Sequence, residues 1–307
     1  MELRVLRYFL AVAQEESVSR AAELLHITQP TLSRQLMDLE EELGKKLFLR
    51  GGRRMTLTEE GVFLRKRAQE ILSLVDRTTE EFHAEEEDVS GDVRIGGGET
   101  RGMGFIAGAV RKLRVSHPHV YYHLFSGNAA DVMERLDNGL VDFGVFIEPA
   151  DLSRYEYIRL PVMDRWGVLM RGDSPLAAKD ALRPEDVTGL PLLCSRQSLV
   201  ANEISGWLGE SFDRLNIVAT YNLLYNASLL VEQGVGYALC LDGIIRCGEG
   251  PLCFRPLEPG LEVGIAVAWK KYQAFSRAAE KFLDVLQTEM TDFVNRTRGG
   301  SAGRFLR

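Results

Sequence analysis

The chain has 307 residues, long enough for two or three domains with sizeable cores, and its apolar (45%) and charged (26%) fractions are ordinary for a soluble protein. A net charge of -7 argues against a protein coated in nucleic acid, yet leaves room for a local basic surface inside an acidic whole. Met1-Glu2-Leu3-Arg4 leads straight into an amphipathic pattern, and no apolar run approaches the roughly twenty residues of a membrane span. A cytoplasmic chain without membrane partners is expected.

Residues 3 to 14 predict a first helix, with Leu3, Leu6, Phe9, Leu10 and Ala13 on one face. Ser19 precedes the run from Ala21 to Leu25 and can cap a short second helix. His26-Ile27-Thr28 supplies a turn, and Thr28 can cap a third helix that opens on Gln29-Pro30, where a proline's missing donor costs nothing. Leu32, Leu36, Leu39 and Leu43 recur at three- and four-residue steps. Gln29, Thr31, Ser33, Arg34 and Gln35 fall on other faces near the start of that helix. Two helices, a short turn and polar groups at the head of the second describe a helix-turn-helix, which lays its second helix in the DNA major groove. Arg34 suits guanine or phosphate, Gln29 or Gln35 suits adenine, and Thr31 can bond a base edge or touch a thymine methyl.

Residues 45 to 54 carry Lys45, Lys46, Arg50, Arg53 and Arg54 with no acid, and Gly51-Gly52 sets a tight turn between Leu47-Phe48-Leu49 and Met55-Thr56-Leu57. That reads as a hairpin wing whose basic tip lies along the phosphate backbone. Ser19, Arg50, Arg53 and Arg54 complete the candidate DNA contacts. By periodicity alone, a helical hairpin with a solvated basic loop fits the same residues.

The run from Leu3-Arg4-Val5-Leu6-Arg7-Tyr8-Phe9 through Ser19-Arg20-Ala21-Ala22, Gln29-Pro30-Thr31-Leu32-Ser33, Leu39-Glu40, Leu43-Gly44, Leu47-Phe48, Arg50 and Leu57-Thr58-Glu59-Glu60-Gly61 resembles the LysR-type transcriptional regulators in order and spacing over about sixty residues. The resemblance implies a winged helix-turn-helix DNA-binding domain over residues 1–58 and, after it, a linker helix that pairs two subunits. From Thr58 to about Glu87 there is no proline and, after Gly61, no glycine, so a helix of roughly 45 Å is expected. Leu64, Ala68, Ile71, Val75, Thr78 and Phe82 alternate four and three residues apart, the pattern of a coiled-coil seam. Pattern alone leaves open whether a partner helix or the chain itself covers that stripe. The resemblance favours a homodimer through residues 59–88 and a homotetramer beyond it. Paired recognition helices would then read a pseudo-palindromic double-stranded operator with half-sites roughly 34 Å apart.

Glu85-Glu86-Glu87-Asp88 followed by Ser90-Gly91 marks a hinge. Beyond it, short apolar runs alternate with helices: Asp92 to Ile95, a helix from Met103 to Val115, Val120 to Phe125, a helix from Ala130 to Asn138, then Val141 to Ile147. Alternation of this kind means a parallel sheet with right-handed crossovers, and such sheets bind ligands where strands end. Gly96-Gly97-Gly98 ends the first strand, and with no Gly-Lys-Ser/Thr after it a nucleotide loop is not expected. The glycines fit either a ligand cradle at a helix N-terminus or a turn needed for packing. A second unit follows, with apolar runs at Tyr157 to Leu160, leading through Pro161 into Trp166 to Met170, then Pro191 to Cys194, Ile217 to Tyr221, Gly234 to Leu239 and Val263 to Trp269. Helices are expected from Val200 to Gly209, Ala227 to Gln233 and Ser276 to Met290.

This order is similar to the same family's effector-binding region, itself similar to type 2 periplasmic binding proteins: two α/β lobes around a cleft. The expected effector domain spans residues 89–295, with one lobe over about 91–160 and 267–295 and the other over about 161–266. Residues 296–307, with glycine and arginine and no apolar repeat, predict a disordered tail. Strand ends would line the cleft with Glu99, Thr100, Ser126, Asn128 and Phe146 from the first lobe and Ser195, Arg196, Gln197 and Asn222 from the second. Thr100 occupies the position where the family often contacts effector. A hydroxyl, an amide, an arginine and helix N-termini favour a small anion such as a carboxylate, although an inward Glu99 would repel an acid or bind an amine. Arg196 fits a structural ion pair as well as a ligand clamp.

Cys194, Cys240, Cys247 and Cys253 fit no zinc spacing, and Pro118 interrupts His117, His119 and His123, so neither a metal nor a cofactor is expected. No Ser-His-Asp or metal constellation points to an enzyme. Two other readings stay open: a redox sensor using Cys240 and Cys247 on the same scaffold, and a cytosolic solute-binding module, which would have no need of residues 1–58.

Overall fold

The computed structural model describes residues 1–50, 54–83, 89–195, 198–209, 215–248 and 250–298. The chain divides into two compact units, Met1–His83 and Ala84–Arg307. The first contains helices α1 (Leu3–Glu15), α2 (Val18–Leu24) and α3 (Gln29–Leu43), a hairpin of β1 (Phe48–Arg50) and β2 (Met55–Leu57), and the long helix α4 (Glu59–His83).

Three helices share one apolar core. The covered face of α1 carries Val5, Leu6, Phe9, Ala11 and Val12; Leu10 and Ala13 only flank it, and Leu3 is exposed. Helix α2 begins earlier than expected, because Ser17, not Ser19, has the extended backbone of a cap and accepts from the amide of Arg20 at 3.4 Å. With Ser17 as the cap, Ser19 falls inside the first turn, where it is exposed. Thr28 caps α3 as expected, accepting from Thr31 N. Leu32, Leu36 and Leu39 are buried, but Leu43 is 39% exposed, because α3 stops beside it at Gly44, whose φ of 63° turns the chain away.

Strands β1 and β2 pair antiparallel, Phe48 with Leu57 and Arg50 with Met55. The Gly51-Gly52 turn and Arg53 lie outside the described residues, as does the side chain of Arg50. On α4, Leu64, Ala68 and Leu72 pack into the helical core of their own chain, with Ile71 at its edge. The first half of the expected seam is therefore an intrachain face; a heptad pattern reveals a stripe but not what covers it. Val75 is half-buried, Thr78 is exposed, and the side chain of Phe82 lies outside the described residues. A second apolar face is exposed at Val62, Phe63 and Leu74.

The second unit runs β3 (Gly91–Gly97), α5 (Met103–Ser116), β4 (Val120–Ser126), α6 (Ala129–Asp137), β5 (Phe143–Ile147), β6 (Tyr155–Arg171), a 3₁₀ turn (Pro175–Ala178), α7 (Pro184–Val187), β7 (Leu192–Ser195), α8 (Ser198–Leu208), β8 (Ile217–Tyr221), α9 (Leu224–Glu232), β9 (Tyr237–Leu241), β10 (Leu252–Pro256), β11 (Glu262–Lys270) and α10 (Arg277–Arg298). Its strands follow the order β4-β3-β5-β11-β6-β9-β7-β8, with β10 on β6. The triplets β4-β3-β5 and β9-β7-β8 are parallel. Between them β11 and β6 run antiparallel to their neighbours, so the sheet is mixed and two α/β lobes are joined by two long strands.

Pro161 lies inside the continuous strand β6. It falls where the pairing with β11 slips between Gly264 and Ala266, a bulge at which the ladder needs no amide donor. Strand β10 was not foreseen, since Leu252–Pro256 carries a cysteine and an arginine instead of an alternating pattern. Helix α10 runs on to Arg298, so residues 296–298 are helical; the rest of the expected tail lies outside the described residues. It returns to the first lobe, where Phe282 is fully buried beside Phe143 (ring centroids 5.3 Å apart), which also stacks on Phe275 at 5.1 Å.

Phe282→Ala is expected to cost about 3–5 kcal/mol and Leu43→Ala, at a half-solvated helix end, under about 1 kcal/mol, both read from urea unfolding.

Candidate nucleic-acid interface and ligand cleft

The same three leucines that anchor α3 fix which of its side chains face outward. Gln29, Thr31 and Arg34 are exposed and Ser33 and Gln35 half-exposed on the first half of the helix. Thr31 is not wholly free, since its hydroxyl shares a 2.8 Å hydrogen bond with that of Thr28. The α2–α3 turn is set by His26 at a φ of 54° and by Ile27 N donating to Ala22 O at 3.0 Å. It is three to four residues long, the turn of a helix-turn-helix.

The basic segment is less free than its composition suggested. Lys46 pairs with the buried Glu40 at 2.7 Å, Lys45 with Glu60 at 3.5 Å, and Arg54 with Glu16 at 3.3 Å. Each partner lies outside residues 45–54, so local charge counting missed it. Arg50 contributes its backbone to β1, beside the hairpin turn.

In the second unit the ends of β3, β7 and β8 meet across a cleft enclosing about 500 Å3, its open mouth included. Gly98, Glu99, Gly127 and Ile147 line it from the first lobe; Trp166, Ser195, Tyr221, Asn222, Leu224, Cys240, Leu241 and Ile244 line it from the second. Of the expected lining, Glu99, Ser195 and Asn222 are brought together. Arg196 and Gln197 lie outside the described residues. Phe146 is buried in the core on the opposite side of β5, where it stacks on Tyr155, and Ile147 takes its place, as strand alternation requires. Asn128 caps α6, accepting from Asp131 N at 3.0 Å, and Ser126 is exposed without reaching the cleft lining. The apolar lining from β6, β9 and Ile244 was missed, because long-range pairing alone brings those residues to the strand ends.

Glu99 is the one charged group among the described lining residues. Its carboxylate crosses the cleft and accepts from Leu224 N, the first amide of α9. A helix N-terminus favours an anion there, and this one is supplied by the protein. Thr100 is also not where the sequence placed it. Its hydroxyl is buried and donates to Asp164, a residue of β6 that also accepts from Arg101 N at 3.3 Å. Burial raises Asp164 above the ordinary carboxylate range, against the pull of these donors and of Arg101. Arg101 and Arg165 both pair with Asp242, at 3.6 and 3.1 Å, next to the same crossover.

All four cysteines are free. Burial pushes Cys194 up to about 12 and Cys240 higher still, so neither is a ready thiolate; Cys247 is exposed, yet also raised. Nothing here favours the redox pair. Among the described residues no group of three or more His, Cys, Asp or Glu could hold a metal ion, and no helix is long and apolar enough to cross a membrane.

A winged helix-turn-helix joined to a two-lobed binding domain defines a ligand-responsive DNA-binding protein as the class. Residues 3–62 match the bacterial regulatory helix-turn-helix of the LysR family, and residues 86–291 match the LysR substrate-binding domain. The chain belongs to the LysR family of transcriptional regulators. It is 29% identical over 303 residues to the HTH-type transcriptional regulator BsdA of Bacillus subtilis, covering 93% of this chain and 100% of that one. It is also 29% identical over 256 residues to the regulator IlvY of Escherichia coli, covering 82% and 86%. Among solved structures, full-length CbnR complexed with its target DNA shares the fold with a TM-score of 0.73 at 20% identity, covering 94% of this chain and 100% of that one.

Glu16→Gln releases Arg54 and is expected to tighten duplex binding about two- to fivefold at low salt, as read by fluorescence anisotropy. Because the raised Asp164 disfavours its charged form, the stability it contributes is fully present below the ordinary aspartate pKa and is lost as pH rises through the raised value. Asp164→Asn should therefore raise the thermal midpoint at pH 7.5 and leave it nearly unchanged below about pH 3.5.

Proposed function

We propose that this regulator reads its operator with the exposed edge of α3, Gln29, Thr31, Ser33, Arg34 and Gln35, and grips the flanking phosphates with Arg50, Arg53 and Arg54 of the wing and with Ser19 at the start of α2. The observation that carries this reading is the division of α3 into a buried leucine stripe and an exposed polar edge at its N-terminal half. Two copies pair through the linker, residues 59–88, using the exposed Phe63–Leu74 face and the continuation of the stripe past Leu72. Two dimers form a tetramer. The protein acts in the cytoplasm on double-stranded DNA and catalyses no reaction.

A small effector occupies the cleft lined by Glu99, Ser195, Trp166, Tyr221 and Asn222, with Arg196 and Gln197 next in sequence to Ser195. The lobes are taken as about 91–160 with 267–295, and 161–266. Trp166 supports a polar ligand: its indole Nε1 is buried with no hydrogen-bond partner. An anionic effector must displace Glu99 from the start of α9, whereas an amine can bind against it. Effector binding shifts regulation only so far as it favours one arrangement of the subunits over another.

The test is binding to the duplex that the parent protein selects from a random pool, at two salt concentrations. Arg53→Ala should weaken binding to all sequences and flatten the salt dependence by about 0.9 for each phosphate it no longer neutralises. Arg34→Ala should also relax sequence preference, costing about 1–3 kcal/mol of discrimination at one base pair. Equal binding by the parent and both variants contradicts the assignment of this surface.

A further inference from the structure

One acid in the first unit is buried where an apolar residue would be expected. Glu40 lies on the covered side of α3 and is only 4% exposed. Oε1 accepts from the amides of both Leu47 and Phe48, at 2.9 and 3.3 Å, while Oε2 takes the Lys46 ammonium at 2.7 Å. Those hydrogen bonds hold the carboxyl below the usual range despite its burial, so Glu40 stays ionised near neutrality. Leu47 and Phe48 form the root of the wing.

The carbonyl side of that root is held from the other direction. Thr58 donates its hydroxyl to Lys46 O at 2.7 Å and its amide to Leu47 O at 3.0 Å, while its oxygen accepts from Gly61 N at 2.9 Å. The fit admits no side chain at position 61, where a Cβ would lie 2.1 Å from Leu47 O. On the far strand, Met55 N donates to Glu16 O at 2.9 Å. The wing therefore emerges from a junction whose donors are held by α3 and whose acceptors are held by the start of α4.

We propose that Glu40 is a positioning residue for DNA binding: without touching the duplex, its carboxylate locks the wing root to α3, fixing the offset between the base-reading edge and the phosphate-gripping arginines. Each hairpin strand is only three residues long, so its own ladder is too short to set that offset. The bonds from Glu40 supply the missing constraint. The proposal rests on the assignment of α3 and the wing to DNA.

The experiment uses full-length protein and the duplex that the parent selects from a random pool. Affinity is measured against salt, phosphate-backbone protection is read by hydroxyl-radical footprinting, and folding is checked by circular dichroism. Glu40→Gln retains an acceptor oxygen for the two amides and should stay within about threefold of the parent, with the same footprint. Glu40→Ala should lose about tenfold or more, flatten the salt slope by about one to three, and lose protection at the outer edges of each half-site while keeping the centre. A variant that is merely less stable would bind with a smaller active fraction but keep the parent's slope and footprint. If Glu40→Ala does not fold, Glu40→Asp, too short to reach both amides, carries the same expectation. Unchanged slope and edge protection in the truncated variant overturn the proposal, as does a Glu40→Gln protein that behaves like it. Failure of the parent to select any duplex overturns the DNA-binding assignment instead.

Discussion

Burial of Leu32, Leu36 and Leu39 against Leu6, Phe9, Val12, Ala21 and Ala22 is the interaction on which the DNA-binding unit depends. At about 1.5–3 kcal/mol for each large side chain withdrawn from water, the stripe fixes the rotation of α3 about its own axis. The opposite edge is then left to solvent without any further device. The same core extends to Leu64, Ala68 and Leu72 of α4, so the linker helix is built onto the reading head and not merely tethered to it. The coupling between α4 and α3 runs through side chains packed in that core.

The effector unit follows a different logic. Its two parallel triplets bring strand ends, and with them short polar side chains, to a shared cleft, while β6 and β11 cross between them as the connection. Polar contacts cluster at that connection: Thr100 with Asp164, and Arg101 and Arg165 with Asp242. Only the Thr100–Asp164 contact is buried; the two arginines reach Asp242 from the solvent side, where an ion pair adds little. Glu99 at the head of α9 is a further contact across the cleft.

Most elements were legible because their signals are local. Leucine spacing, the Thr28 cap, the alternation of strands with helices and the glycines closing β3 each depend on a few neighbouring residues. What escaped depends on distant partners. Thr100 looked like a ligand contact until Asp164, 64 residues away, accepted its hydroxyl. Leu43, which the periodicity places in the stripe, is exposed while Glu40 is covered, because the helix end and the wing root decide what is covered there. Ser19 is read as the cap from its place before the alanine run, but the backbone takes the extended cap conformation at Ser17. Phe146 and Ile147 differ by a single step along β5, enough to send one to the core and the other to the cleft.

The head of α3 is the part of the molecule proposed to meet DNA bases. The most direct measurement replaces Thr31, in one protein, and the exposed Val115 of α5, in another, with a photo-crosslinking residue and irradiates each on the selected duplex. Crosslinks are expected from position 31 to bases within each half-site and none from position 115. Crosslinks from position 115, with none from position 31, would contradict the assignment.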